Sequence, residues 1–309
     1  MVNYPETTEE FEDYFATEAT CYAYLYKIRW PHGFRCPKCE HNTAWVTKKF
    51  LFYCKTCNHA TSLKAGTLFQ DIRKPLHIWF RAIWYLVTQE QGVSARCRPR
   101  ELGFSRYETA WIWLHKLRSI MILPEYDKLS GTVQVDELYI DDNQVCTRGR
   151  GTAGKTLVVI AVEDRGRQGG RFRILHVPEA SPASLEFAVQ KMIRPRSIVQ
   201  TDGWEGYANL RSMGYIHKAV QPSGVVGQNP LPLVRQVAIS LKQWFDGSHK
   251  EAVCQSHLDF YLDEFCFQFN HRTKSRGQRF LLLMQRAVQV GPLVGDRIRG
   301  GKTETDNNI

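Results

Sequence analysis

The sequence predicts an α+β protein of several domains, with a cysteine-rich ribbon first, a helical segment second and a mixed-sheet domain last. Two C-x-x-C motifs before residue 60 indicate the ribbon. Apolar residues at helical spacing between residues 76 and 123 indicate the helices. After residue 131 the pattern changes to strand-like runs, first three in succession and then alternating with helices, which describes a mixed sheet.

Size and charge narrow the class of protein. A chain of 309 residues, 43% of them hydrophobic, can bury the cores of two or three domains. Its 41 Lys and Arg exceed its 31 Asp and Glu, which favours a polyanionic partner, nucleic acid rather than a membrane. No run approaches the roughly 20 apolar residues that cross a bilayer, and the first residues do not resemble a signal peptide. We therefore expect a cytoplasmic protein with no membrane partner.

Four of the nine cysteines form two knuckles separated by fourteen residues: Cys36, Cys39, Cys54 and Cys57. Two such turns, joined by a hairpin, present four thiolates in the tetrahedral arrangement that Zn²⁺ prefers. A redox dithiol would account for one C-x-x-C motif but not for the pair. The sequence therefore predicts a structural zinc site that this small module needs in order to fold.

The helical segment contains an apolar stripe and a second, more basic helix. The stripe is predicted to form a core and comprises Leu76, Trp79, Phe80, Ile83, Trp84 and Val87. A turn at Gly103 and the helix that follows it fit a helix-turn-helix, in which Arg106, Lys116 and Arg118 are candidate DNA contacts. An ordinary helical linker domain is the alternative.

Two aspartates occupy unusual places in the predicted sheet. Asp136 lies inside the strand-like run 132–140, where an ionised carboxylate is costly unless it is paired or bound to a cation. Asp202 stands where the run 197–200 opens into a loop. Two strand-borne aspartates in a basic protein suggest a shared divalent metal ion. The alternatives are that a nearby Lys or Arg neutralises Asp136 and that Asp202 caps the following helix.

Six motifs, in order along about residues 10–290, resemble the DDE-type insertion-sequence transposases with an N-terminal zinc ribbon, the ISXO-like branch. They are the ribbon, GTLFQDIRKPLHIWF (66–80), ELGFSRYETAW (101–111), VDELYI (135–140), TDGWEGY (201–207) and HLDFYLDEFCFQFNHR (257–272). The resemblance implies an RNase H-like catalytic domain that uses two Mg²⁺ ions to cut double-stranded DNA at element ends and join it to a target. It also implies a homo-oligomer assembled on DNA.

The resemblance also sets expected boundaries. They are an N-terminal helical segment 1–30, the zinc ribbon 31–65, a helical DNA-binding segment 66–125, the RNase H-like domain 126–290 and a disordered tail 291–309.

The resemblance assigns roles to residues of the third domain. Asp136 and Asp202 match the first two acidic ligands of the family, and hard carboxylate oxygens favour Mg²⁺ or Mn²⁺. Lys242 matches a lysine that follows the third ligand by seven residues and contacts DNA. His249 and Lys250 are further candidate DNA contacts, with ordinary surface charge as the alternative.

The third-ligand position departs from the family pattern because Arg235 occupies it, where relatives have Glu, Asn or His. Arginine has no lone pair to offer and stays protonated, so it cannot bind Mg²⁺. Either two aspartates suffice, helped by a substitute such as Glu205, Gln236 or His249 while Arg235 holds a phosphate, or the chain is a catalytically impaired derivative that binds DNA or regulates transposition.

A nuclease without joining activity is a further alternative. A second departure is Asp141-Asp142, where relatives have glycines, which predicts an acidic turn or a supplementary metal contact.

Overall fold

The computed structural model describes residues 4–89, 92–93, 106–123, 126–141, 145–146, 155–166, 169–220, 230–248, 253–293, 298 and 300. The chain forms two compact units. The first unit comprises residues 1–90, 95–120 and 273–299, and the second comprises 91–94, 121–272 and 300–309. None of the described helices combines the length and the apolar character that a bilayer crossing requires.

The helices, numbered along the chain, are α1 Thr8–Tyr14, α2 Glu18–Arg29, α3 Leu76–Thr88, α4 Tyr107–Arg118, α5 Pro182–Met192, α6 Pro232–Ser248, α7 Leu258–Asn270 and α8 Arg276–Gln289, with 3₁₀ helices at Glu205–Arg211 and Gln255–His257. The strands are β1 Ala44–Val46, β2 Leu51–Cys54, β3 Ala60–Ser62, β4 Thr132–Asp141, β5 Val145–Cys146, β6 Lys155–Glu163, β7 Phe172–Val177, β8 Ile198–Thr201, β9 Ile216–Ala219 and β10 Val253–Cys254.

The first unit is built around an aromatic core. The predicted stripe of α3 is buried, which confirms that prediction. Phe280 of α8 completes this core, because its ring lies 5.6 to 6.0 Å from the rings of Phe11, Phe15, Tyr24, Phe80 and Trp84. The structural division therefore falls at residue 273, whereas the boundary expected from the sequence falls at residue 290.

The second unit contains a five-stranded sheet in the order β7-β6-β4-β8-β9. β6 runs antiparallel to both β4 and β7, and β8 runs parallel to both β4 and β9. Counting only these strands, the order is 3-2-1-4-5, which is the RNase H-like arrangement. The mixed sheet is therefore as predicted.

The two faces of the sheet pack against different helices. Val133, Val135 and Val199 lie in one apolar cluster with residues of α5 and the 3₁₀ helix 205–211. The opposite cluster joins Val158 and Ile160 of β6 to residues of α6 and α7. Because side chains alternate along a strand, Gln134 and Asp136 face α6, whereas Glu137 faces the 3₁₀ helix.

One predicted helix is shorter and tighter than expected. The sequence indicates a helix over 205–213, but the structure has a 3₁₀ helix that ends at Arg211. Gly206 lies in this segment, and glycine disfavours a regular helix.

Candidate metal centres and active site

The four knuckle cysteines converge in the first unit. Their sulfur atoms all lie within 4.8 Å of one another. Cys36 Sγ is 3.6 Å from Cys57 Sγ, and Cys39 Sγ is 3.5 Å from Cys54 Sγ. Zn–S bonds of about 2.3 Å in a tetrahedron place sulfur atoms about 3.8 Å apart. The cysteines therefore suit a single zinc ion.

Both knuckles have the same backbone pattern. The amide of the first cysteine donates to a histidine carbonyl five residues later, Cys36 to His41 at 2.9 Å and Cys54 to His59 at 3.0 Å. The residue after each second cysteine is left-handed, with φ of 61° at Glu40 and 53° at Asn58. Burial opposes ionisation of Cys54, but backbone N–H groups of its own knuckle donate to its sulfur and lower its pKa to about 6. These turns therefore favour the thiolate that a metal needs.

The aspartates lie just beyond the end of the β4–β8 ladder. Gln134 pairs with Gln200 in the last step of that ladder. Asp136 and Asp202 each follow that last pair by two residues, Asp136 projects from the face of the sheet that α6 covers, and the negative charge of Asp202 raises the pKa of Asp136.

Asp136 is half-buried, and its side chain accepts a backbone hydrogen bond from the next residue. Its Oδ1 accepts the amide N–H of Glu137 at 3.0 Å. Burial, together with the negative charges of Glu137 and Asp202, raises the pKa of Asp136 to about 6. Among the described residues, no Lys or Arg forms an ion pair with Asp136. Neutralisation by a neighbouring side chain, one of the alternatives from the sequence, is therefore not observed.

Asp202 is exposed and shapes the turn that follows β8. Its Oδ1 accepts the amide N–H of Trp204 at 3.0 Å, across Gly203, whose φ is +90°. Trp204 itself is the N-cap of the 3₁₀ helix and makes no side-chain capping bond. Asp202 therefore holds the turn before the helix with one oxygen and leaves the other available.

Sequence reasoning missed Glu137 and Tyr207. The hydroxyl of Tyr207 donates to Glu137 Oε2 at 2.7 Å. Burial raises the pKa of Glu137, and the charge of Asp202 also raises it, while the bond from Tyr207 opposes the change. Both residues stand inside recognised motifs, VDELYI and TDGWEGY, but nothing in the linear pattern pairs them.

Helix α6 is attached to the strand that carries Asp136. The amide N–H of Leu233, in the first turn of α6, donates to Gln134 Oε1 at 3.0 Å. Arg235 and Lys242 are exposed, and seven residues are about two helical turns, so they share a side of α6. Within the described part of the chain, Arg235 forms no ion pair. The third-ligand position therefore holds an exposed cation.

Of the proposed substitutes for that ligand, Glu205 does not form a cluster with the two aspartates among the described residues. Glu205 and Gln236 are exposed. His249, Lys250 and Asp142 lie outside the described residues, as does the side chain of Asp141. Among the residues that are described, the four cysteines are the only group of three or more His, Cys, Asp or Glu side chains close enough to hold one ion.

The candidate DNA contacts of the helical segment differ in accessibility. Arg106 is exposed, and Lys116 is half-buried, with a pKa lowered by burial. Arg118 has none of its surface exposed because α4 turns it into the core. The prediction that Arg118 contacts DNA is therefore wrong, because its side chain is not accessible. The predicted turn at Gly103 lies outside the described residues.

The fold and the two sites define a protein with a zinc ribbon and an RNase H-like domain that carries paired aspartates. Residues 128–270 match the family model of the ISXO2-like transposase domain, and residues 16–60 match that of the transposase zinc-ribbon domain. The chain belongs to the DDE-type insertion-sequence transposases with an N-terminal zinc ribbon. The ribbon match and the cysteine cluster together confirm the predicted structural zinc site.

The chain is also similar to an uncharacterized protein in transposable element ISH50 of Halobacterium salinarum. The two are 26% identical over 216 residues, covering 63% of this chain and 71% of the relative. Two solved structures show weaker likeness, each covering 67% of this chain and 78% of the other. They are a pre-cleavage Mos1 transpososome, at 11% identity and a TM-score of 0.28, and a Mos1 mariner paired end complex with Mn, at 13% and 0.26.

Proposed function

We propose that this transposase binds the ends of its element on double-stranded DNA and catalyses metal-dependent strand cleavage and transfer. The observation that supports the proposal is the approach of Asp136 and Asp202, since the β4–β8 ladder ends two residues before each of them and the charge of Asp202 raises the pKa of Asp136. Their charges oppose each other, and no basic side chain among the described residues is ion-paired with Asp136. A carboxylate pair of this kind is stabilised by a divalent cation.

The donor atoms of the pair suit Mg²⁺ or Mn²⁺. Both side chains offer hard carboxylate oxygens. Only one oxygen of Asp202 accepts the hydrogen bond that holds its turn. Two divalent cations bound there would activate the attacking hydroxyl and stabilise the leaving oxygen of the phosphodiester, one ion for each role. Asp136 and Asp202 would hold them, and the bond between Gln134 and Leu233 keeps α6 over the same face of the sheet.

The positive charge of the chain supports a DNA partner. The net charge is +10, and Lys242 and Arg235 are exposed on one side of α6. In this proposal both side chains contact phosphates near the cleaved strand, and Arg106 contacts the backbone elsewhere. Assembly as a homo-oligomer on the DNA is part of the same proposal.

Arg235 favours a second candidate function. A protonated guanidinium at the third-ligand position offers no lone pair and repels cations held nearby. A chain with this residue would bind element ends and regulate transposition without cutting them. The two functions predict the same DNA binding but different chemistry.

A strand-transfer assay with Mg²⁺ or Mn²⁺ on the element's own end sequences tests both. The catalytic proposal expects 3′-hydroxyl ends joined to target DNA, a product lost in Asp136→Asn and Asp202→Asn although both variants still bind the ends. The regulatory alternative expects binding without cleavage and a gain of activity in Arg235→His if the rest of the site is intact.

Arg194→His, a change at an exposed arginine away from α6, is the matched control and should leave activity unchanged. Cleaved ends that never join a target would indicate a nuclease. Failure to bind the element ends at all would overturn both candidates.

A further inference from the structure

Backbone pairing alone does not hold the two aspartates together. The β4–β8 ladder ends at Gln134 and Gln200, and β4 continues beyond it paired only with β6. Asp136 therefore lies on a strand whose neighbour on that side has already turned away. Another contact must set the distance between Asp136 and the Asp202 loop.

The turn after β8 is fixed internally. The amide N–H of Gly203 donates to Thr201 Oγ1 at 3.2 Å, and the same oxygen shares a hydrogen bond of 2.9 Å with His217 Nε2. A Cβ at Gly206 would lie 2.5 Å from a ring atom of Trp204, so the indole packs directly on this glycine. These contacts join the turn to itself and to β9, and none of them reaches β4.

The hydrogen bond between Tyr207 and Glu137 makes that connection. Tyr207 follows Asp202 by five residues, and Glu137 follows Asp136 by one. The Tyr207 side chain is 0% exposed and packs in the cluster with Val133, Val135 and Val199. This packing fixes the orientation of the ring and therefore the position of its hydroxyl. A buried hydrogen bond to a carboxylate is stronger than one between neutral groups.

We propose that Glu137 and Tyr207 are positioning residues that clip the Asp202 loop to β4 and thereby set the spacing of the two aspartates for a divalent cation. The inference rests on the proposed function, because it takes Asp136 and Asp202 as the ligands. Glu137 faces the 3₁₀ helix, away from the side of the sheet that Asp136 occupies, and its Oε2 is taken by Tyr207. Its role is therefore to hold the loop rather than to bind the cation.

The test measures Mn²⁺ binding to the full-length, zinc-loaded protein by electron paramagnetic resonance titration. Tyr207→Phe removes the hydroxyl and keeps the ring, and we expect Mn²⁺ affinity to fall roughly 10-fold, as for other groups that orient ligands. Tyr215→Phe is the matched control, because Tyr215 is also buried and its hydroxyl donates to the carbonyl of Ile193 at 3.1 Å, away from the aspartates. The control should lose similar stability without losing Mn²⁺ affinity.

Glu137→Leu removes the same hydrogen bond from its other end and carries the test if Tyr207→Phe does not fold. The double variant should weaken Mn²⁺ binding no further than the weaker-binding single variant, because both changes break one interaction. Additive losses, or unchanged affinity in Tyr207→Phe, would overturn the inference. Either of these results would leave the proposed function intact, provided that wild type binds Mn²⁺ and Asp202→Asn does not. If wild type does not bind Mn²⁺, both fail.

Discussion

The cysteine ribbon and the aspartate pair both suit metal ions, but they are assembled over different distances along the chain. The four cysteines lie between residues 36 and 57, on two knuckles that each close their own backbone hydrogen bonds. Asp136 lies in β4 and Asp202 lies in the turn after β8, so the two come together only once these distant segments have paired and packed. The ribbon is thus a local site, and the aspartate pair depends on the whole sheet.

This difference has an energetic consequence. The ribbon has few apolar side chains of its own, so metal binding contributes directly to its folding. The aspartates lie on a sheet whose two faces already bury apolar clusters, so that sheet folds without a cation and carries the repulsion between its carboxylates as a cost. Metal removal should therefore unfold one region and leave the other intact.

The largest expected effect comes from breaking the zinc site. Cys54→Ser removes a thiolate from the cluster and should abolish zinc binding, which contributes on the order of 10 kcal/mol in isolated zinc modules. Zinc content and the proteolytic sensitivity of residues 31–65 measure the result. Cys21→Ala, at a buried thiol outside the cluster, is the control and should keep its zinc. Full zinc occupancy in Cys54→Ser would contradict the local, metal-dependent reading of the ribbon.

A second change tests whether the core of the first unit depends on α8, which is distant from the other core helices in the sequence. Phe280 of α8 contacts the ring of Phe15, just after α1, and four aromatic rings from α1, α2 and α3, so Phe280→Ala should destabilise this unit by about 3–5 kcal/mol. Denaturant unfolding followed by tryptophan fluorescence measures the loss. Leu282→Ala, at a half-buried position of the same helix, should cost clearly less. Equal losses in the two variants would mean that α8 does not complete the core.

The smallest effect concerns the charge of Asp136. The pKa of this carboxyl is near 3.8 in the unfolded chain and about 6 in the folded protein. Its contribution to the free energy of unfolding is therefore fully present when the pH is below 3.8 and is lost as the pH rises through about 6. Asp136→Asn should therefore be more stable than wild type at pH 7.5 by about 1–2 kcal/mol, after allowance for solvent screening, and the gain should disappear near pH 4.

Urea unfolding of zinc-loaded protein in buffer without Mg²⁺ or Mn²⁺ measures this difference. Added Mn²⁺ should reverse it by stabilising wild type alone. A variant less stable than wild type at pH 7.5 would show that the carboxylate is already compensated in the free protein.

Local patterns predicted the elements well where one stretch of chain carries its own signal. The spacing of the cysteines, the buried stripe of α3 and the strand Phe172–Val177 were all readable, because each depends on neighbours within a few residues. Other features were not readable. Arg118 looks like a DNA contact in a basic helix, but packing turns it inward, and α8 lies in the first unit although it follows the sheet in the chain.

By itself, the sequence determined the zinc ligands and the RNase H-like fold of the second unit, and it indicated Asp136 and Asp202 as candidate ligands. Only the tertiary structure decided what surrounds those aspartates. It ended the β4–β8 ladder two residues before each of them, placed Gln134 against the first turn of α6, and joined Tyr207 to Glu137 across seventy residues. The physical reason is that a knuckle closes through bonds among adjacent residues, whereas a site between strands exists only after distant segments have paired and packed.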